Sequence, residues 1–166
     1  YSVRRVDRPG GRGYGGVAIA TRDGLSTAEY RPATPRPPDS RLEAVWATVT
    51  LDRGRRLLIG SIYRPPRYTA AALDADFGDL EAQLQMALLD HPNVTIVIGG
   101  DLNCDLLKPP PAPAGARLRA FLDDYSLSQL VTGPTFTSGS LLDVLIVNRL
   151  NVASARRNKH CDYSPH

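Results

Sequence analysis

Cysteine is scarce in this chain: Cys104 and Cys161 are its 2 thiols in 166 residues. Two thiols do not make a disulfide framework, so a reduced, intracellular setting is the simpler expectation. No apolar run is long enough to span a membrane, and no N-terminal stretch reads as a signal peptide. A Gly-x-Ser-x-Gly elbow is missing, which leaves a serine hydrolase without support. Zinc spacing is missing too, because Cys104, His160 and Cys161 do not fall at the intervals of a zinc site. Cys104, beside Asn103, reads instead as a small buried hydrophobe. The dinucleotide fingerprint must follow a strand and open a helix. Gly11-x-Gly13-x-x-Gly16 precedes an apolar run, so it reads as a flexible loop.

What is present suits one globular domain. The hydrophobic fraction is 42%, an ordinary globular value, and a chain of this size buries roughly two-thirds of its unfolded surface. Gly and Pro stand at 14 each, which implies many turns. The formal charge is +3 with pI near 9.1. Arginine supplies nearly all of the basic residues, and its fork matches phosphate oxygens. A solvated basic surface is the plainer reading of so small an excess.

Periodicity outlines the elements. Residues 1–15 are basic and Gly-rich and run into Gly16–Thr21, a short buried strand. Four prolines in residues 31–39 predict an extended loop. Glu43–Leu51 alternates, with Val45, Ala47, Val49 and Leu51 on one face. Asp52-Arg53-Gly54 is a turn and Arg56–Tyr63 a second strand, together an antiparallel hairpin ended by Pro65-Pro66. Thr69 is a candidate N-cap for a helix with Leu73, Phe77, Leu80, Leu84 and Leu88 at helical spacing, stopping near Asp90 ahead of Pro92. Asn93–Ile98 is a wholly apolar, central strand. Ala116–Tyr125 predicts a short helix, and Leu141–Val147 a last strand with Asp143 inside it. Strand pairs mixed with two helices suggest a layered α/β fold.

Four places could carry chemistry. Asp101 and Asn103 follow the central strand and could hold a divalent metal, a water or a phosphate oxygen; equally, Gly-Gly-Asp-x-Asn is a turn with Asx hydrogen bonds. Asp143 is costly to bury without a partner, a histidine being the obvious kind, unless it sits at a strand edge and reaches solvent. Tyr63 can donate to a phosphate and Arg64 can grip one; the plainer reading is core packing and a surface charge. His166 alone, at a chain end, carries no signal.

In order, these segments resemble one family. "VRRVDRPGGRGYGGVAIATRDGL", "LEAVWATVTL", "LLIGSIYRPP", "IVIGGDLNCDLL", "PTFTSGSLLDVLIVN" and "CDYSPH" are similar to the endonuclease/exonuclease/phosphatase (DNase I-like) superfamily, in its non-LTR retrotransposon endonuclease branch. The resemblance implies a four-layer α/β/β/α sandwich. Tyr63 resembles the tyrosine that contacts the scissile phosphate. Asp101 resembles the carboxylate that orients or deprotonates the attacking water, and Asn103 its partner, these two also being metal-site residues. Asp143 resembles the aspartate bonded to the catalytic histidine, for which His166 stands. Thr137 is similar to a threonine near the site, and with Arg64 completes the phosphate- and DNA-binding set. The implied cofactor is Mg²⁺ or Mn²⁺. The implied partners are DNA and a covalently linked reverse transcriptase, with no membrane and a nuclear point of action.

Two departures set further expectations. The family's Asn and Glu on its first strands would lie before Tyr1, so the domain is expected to be incomplete at its N-terminus and weakly active alone; Glu43 lies on a later strand and is not that Glu. Pro165 precedes His166 where the family often has an Asp. Three readings compete with a nicking endonuclease. One is a superfamily phosphatase acting on a phosphorylated lipid, nucleotide or RNA end. The others are an inactive nucleic-acid binder and a transposon remnant with no stable fold.

Overall fold

The computed structural model describes residues 1–8, 10, 15–66, 69–109 and 112–148. Eight strands and two helices follow in the order β1 (Ser2–Val6), β2 (Val17–Thr21), β3 (Ser26–Tyr30), β4 (Glu43–Thr50), β5 (Arg56–Tyr63), α1 (Ala70–Asp90), β6 (Thr95–Asp101), α2 (Pro113–Asp124), β7 (Ser128–Gln129) and β8 (Asp143–Val147). Six strands form one mixed sheet in the order β3-β4-β5-β6-β8-β7, and β1 pairs with β2 in a second, small sheet. The β4–β5 pair is antiparallel from Glu43↔Tyr63 to Thr50↔Arg56, the hairpin its alternation predicts. Among the described strands only β5 and β6 run parallel, joined through α1. A parallel neighbour requires such a crossover, and a helix is its usual form.

Among the described residues the fold has three layers: helices, large sheet, small sheet. On one face of the large sheet, Phe77, Leu80 and Leu84 of α1 and Leu118 and Phe121 of α2 pack against Trp46, Leu58, Ile62, Ile96, Ile98 and Ile146. Each fully buried Leu, Ile or Phe contributes roughly 1.5–3 kcal/mol of transfer free energy. On the opposite face Val17 and Ile19 of β2 close over Val45 and Ala47 of β4, with Ile59 and Tyr63 alongside. β4 is therefore covered on both faces, which explains its unbroken run of buried residues. Trp46 lies flat where Gly60 leaves room: a Cβ there would stand 2.6 Å from the indole.

The predicted elements with a buried stripe are all present. Thr69 caps α1, its hydroxyl accepting from the Ala72 amide at 3.3 Å. β6 lies between β5 and β8 and runs three residues beyond Ile98, to Asp101. α2 starts at Pro113, earlier than expected, because proline at the first helical position loses no hydrogen bond. The short strands β1, β3 and β7 were not foreseen. β1 reads Ser-Val-Arg-Arg-Val with no fully buried residue, and β3 is an exposed edge. Neither has a buried face to write a period of two into the sequence.

Candidate active site

Sheet register does what no local pattern could. Glu43 pairs with Tyr63, Tyr63 with Asp101, and Asp101 with Asp143. These four residues form one row across β4, β5, β6 and β8. Residues directly opposite on paired strands present side chains to the same face. Tyr63 packs with the small-sheet cluster, so that is the face the row occupies, at one end of the sheet.

Backbone demands fix the row's centre. Gly100 has φ +144°, and a Cβ there would fall 1.8 Å from the Ile62 carbonyl on the paired strand. Past the strand the chain turns: the Asn103 amide donates to Asp101 Oδ1 at 2.8 Å, with Asn103 at φ +48°. This is the Asx turn that the Gly-Gly-Asp-x-Asn pattern allows, and asparagine tolerates the left-handed region better than most residues. Asn103 Nδ2 donates to the Arg64 carbonyl at 2.9 Å, so Oδ1 is its remaining acceptor among the described residues.

Arg64 is where expectation and structure part. It is 1% exposed, and its side chain turns inward beneath the turn. Nε donates to Leu102 O at 2.7 Å and Nη2 to Asn103 O at 3.1 Å, while Nη1 faces Asp76 Oδ2 of α1 at 3.7 Å. Its own amide donates to Asp101 O at 2.9 Å. The expected phosphate grip by Arg64 is therefore corrected: the guanidinium holds up the floor of the site and does not reach a ligand. Asp76, fully buried, was legible in one respect, since it falls within the Leu73–Phe77–Leu80 stripe.

Asp143 opens β8 and is exposed. Of the two readings, a paired buried carboxylate or one that reaches solvent, the second holds, although β8 lies inside the sheet and Asp143 reaches solvent from the strand's first position. His166, the expected partner, lies outside the described residues, as do Cys161 and Asp162. Thr137 is exposed on the 136–139 turn. Thr135, two residues earlier, is the threonine that touches the row's backbone. Its hydroxyl accepts from the Leu142 and Asp143 amides, each at 3.0 Å. Nothing in Thr-Phe-Thr distinguishes the two. Thr135→Val should cost about 1 kcal/mol in a urea melt, the net worth of an ordinary hydrogen bond. Wild-type stability would show these bonds to be idle.

Asp105, unremarked in the sequence, pins the turn to β8. Burial alone would raise its pKa. Bonds from Ser140 and from the amides of Leu141 and Leu107 outweigh burial and hold it below the usual range. Burial pushes the Cys104 thiol up to about 11, so it is an inert core group. Asp101 moves the other way from Asp105. Burial raises its pKa, the Asn103 amide opposes this, and the Asp143 charge adds to the rise.

Two facing carboxylates repel unless protonated or bridged. The oxygens of Asp101, Asp143 and Asn103 are hard donors, and Mg²⁺ is usually held by one or two carboxylates plus waters. The residues thus fit such an ion, although no group of three acidic, imidazole or thiol side chains at metal-binding spacing occurs among the described residues. Beside the row, a cleft of about 1120 Å³ opens at Arg8 and Glu43, walled by Arg5, Arg31 and Arg36 with their ion-pair partners Asp7, Glu29 and Asp79, and by Arg41. Its size exceeds the usual range for small-ligand pockets.

The layered α/β fold thus carries an Asp-Asn turn and a second Asp at one end of its large sheet. The chain belongs to the endonuclease/exonuclease/phosphatase family, whose model matches residues 1–166. Its fold is similar to the catalytic domain of human Nocturnin with bound sulfate, at TM-score 0.66 and 15% identity, covering 89% of this chain and 60% of that one. An endonuclease/exonuclease/phosphatase family protein from Bacteroides thetaiotaomicron matches at TM-score 0.58 and 15% identity, with the same coverage of 89% and 60%. The chain thus spans 60% of the length of either structure. No curated protein sequence matches.

Proposed function

We propose that this chain is the metal-dependent phosphodiesterase part of a DNA endonuclease of the retrotransposon type, which nicks target DNA for reverse transcription. The observation that carries the reading is the single row of Tyr63, Asp101 and Asp143 across three adjacent strands. The ordered likeness of "IYRPP", "GGDLN" and "LLD" to that branch supports it. DNA is then the substrate, a reverse transcriptase is linked on the same polypeptide, and the nucleus is the place of action.

Phosphodiester hydrolysis needs an activated water and neutralised phosphate charge. Asp101, ionised, accepts a proton from the attacking water. Asn103, whose backbone amide orients Asp101, keeps its Oδ1 for solvent or phosphate. Tyr63 donates its hydroxyl to a phosphate oxygen. His166, by resemblance, pairs with Asp143 as imidazolium. A bound Mg²⁺ would supply charge neutralisation and lower the pKa of water.

Asp101→Asn tests the reading, because asparagine keeps an acceptor for the Asn103 amide. Activity in a Mg²⁺-dependent plasmid-nicking assay on the full-length protein should fall roughly 100- to 10,000-fold, the range for loss of a general base. Stability should move in the opposite direction. A folded-state pKa raised above the unfolded value means that Asp101 favours the fold when protonated. That contribution is present at low pH and lost as pH rises through the raised pKa. Removing the charge should therefore raise the melting midpoint at neutral pH. Unchanged nicking would sink the assignment of Asp101.

A second reading is a nucleic-acid binder without catalysis, for which the exposed Arg5 and Arg8 at the basic N-terminal stretch speak. Metal titration separates the two: the enzyme cuts only with a divalent ion, and the binder holds DNA without one.

A further inference from the structure

With Arg64 buried, the cation expected to meet the phosphate is turned away from the row. Glu43, Asp101 and Asp143 bring three carboxylates to it, and a phosphodiester would add another negative charge. Arg8, just past the end of β1, is the positive group that stands there among the described residues. Its Nε donates to Glu43 Oε1, and its guanidinium carbon lies 5.3 Å from the centre of the Tyr63 ring. Glu43 itself is fixed by the Gly16 amide, which donates to Oε2 at 2.9 Å. Gly15 leaves the room: a Cβ there would stand 2.5 Å from Arg8 Cζ. The Arg8 side chain is 42% exposed against 2% for Arg64, so one faces solvent and the other does not.

The fork has five N–H donors. Glu43 takes the Nε hydrogen and the Tyr63 hydroxyl meets the same guanidinium, which leaves further terminal N–H groups, beside Gly15, for an anion. The Glu43 carboxylate aims the planar group and cannot itself receive a phosphate. We propose that Arg8 is the phosphate-binding residue of this site, held beside Tyr63 by Glu43 in the part the sequence assigned to Arg64. Insofar as the phosphate belongs to DNA, this rests on the endonuclease reading above.

The test is a binding titration read by fluorescence anisotropy. A labelled DNA duplex is titrated with the chain in EDTA across a potassium chloride series, and inorganic phosphate is followed in parallel by ³¹P line width. Arg8→Gln should weaken duplex binding about tenfold and shrink the slope of log affinity against log salt by about one, the signature of one lost phosphate contact. Arg8→Lys should keep the slope while losing part of the affinity, since lysine is a point charge without the fork. Thermal melts check that both variants fold. A smaller slope in Arg8→Gln with the wild-type slope in Arg8→Lys confirms the assignment. Duplex binding with an unchanged slope in Arg8→Gln overturns Arg8 and leaves the endonuclease reading standing. Arg8-dependent binding of inorganic phosphate without duplex binding supports Arg8 and sinks the DNA substrate. Binding of neither probe by the wild-type chain overturns both.

Discussion

Gly100→Ala will leave the chain without a cooperative unfolding transition, whereas Gly99→Ala will fold. The two glycines are adjacent on β6, yet their surroundings differ. At Gly100 a Cβ would stand 1.8 Å from Ile62 O and 2.8 Å from Ile62 C, both backbone atoms of the paired strand. No side chain can move aside to relieve that contact, so β5 and β6 would have to separate. Those strands are paired from Leu57↔Thr95 to Tyr63↔Asp101, and the φ of +144° is itself closed to an alanine. A loss above about 4 kcal/mol is exceptional for one methyl group and is what this geometry demands. At Gly99 the nearest atoms to a Cβ would be at 3.9 Å, ordinary contact. Gly99→Ala should stay within roughly 1 kcal/mol of wild type, since alanine also gains entropically over glycine when its φ is compatible. Urea melts of the two variants, side by side, decide the matter. A Gly100→Ala protein that melts like wild type would mean that the β5–β6 register around Asp101 is not the one described.

Arg64→Met should cost about 3–5 kcal/mol, the usual result of removing one partner of a buried ion pair. Three groups would lose the guanidinium at once: the Leu102 carbonyl, the Asn103 carbonyl and the buried Asp76 carboxylate. Asp76 also accepts from the Arg41 amide at 2.8 Å, so the loop ahead of β4 is tied to the same group. Adding Asp76→Leu to Arg64→Met should recover part of the loss, because a buried carboxylate that has lost the guanidinium is removed with it. The non-additivity is the decisive quantity. If the double variant loses the sum of the two single losses, Arg64 and Asp76 act independently and the floor of the site is held by the backbone alone. The Asp101–Asn103 turn should also loosen in Arg64→Met, so nicking should fall further than the folded fraction does.

How much of the site could be read along the chain depended on whether a residue's partner was local. Asp101 and Asn103 announced themselves because their turn closes within three residues, with Asn103 N on Asp101 Oδ1. Tyr63 stood out at the end of a regular strand before two prolines. Arg64 misled for the opposite reason. An arginine after a strand looks like a surface cation, and what buries it, Asp76 on α1 and the carbonyls of the turn, comes from 12 and 38 to 39 positions further on. Arg8 was one of several arginines in a basic stretch, and only its pairing with Glu43, 35 positions away, singles it out.

By itself the sequence determined the α/β class, the β4–β5 hairpin, α1 with its Thr69 cap, the central β6 and the turn that follows it, because each rests on short-range periodicity or a local hydrogen bond. The tertiary structure decided which strands lie side by side, and therefore that Glu43, Tyr63, Asp101 and Asp143 form one row. It also decided which of two arginines is buried and which faces solvent. Register and burial come from packing between segments far apart in the chain, and a side chain's identity does not state what will be stacked upon it.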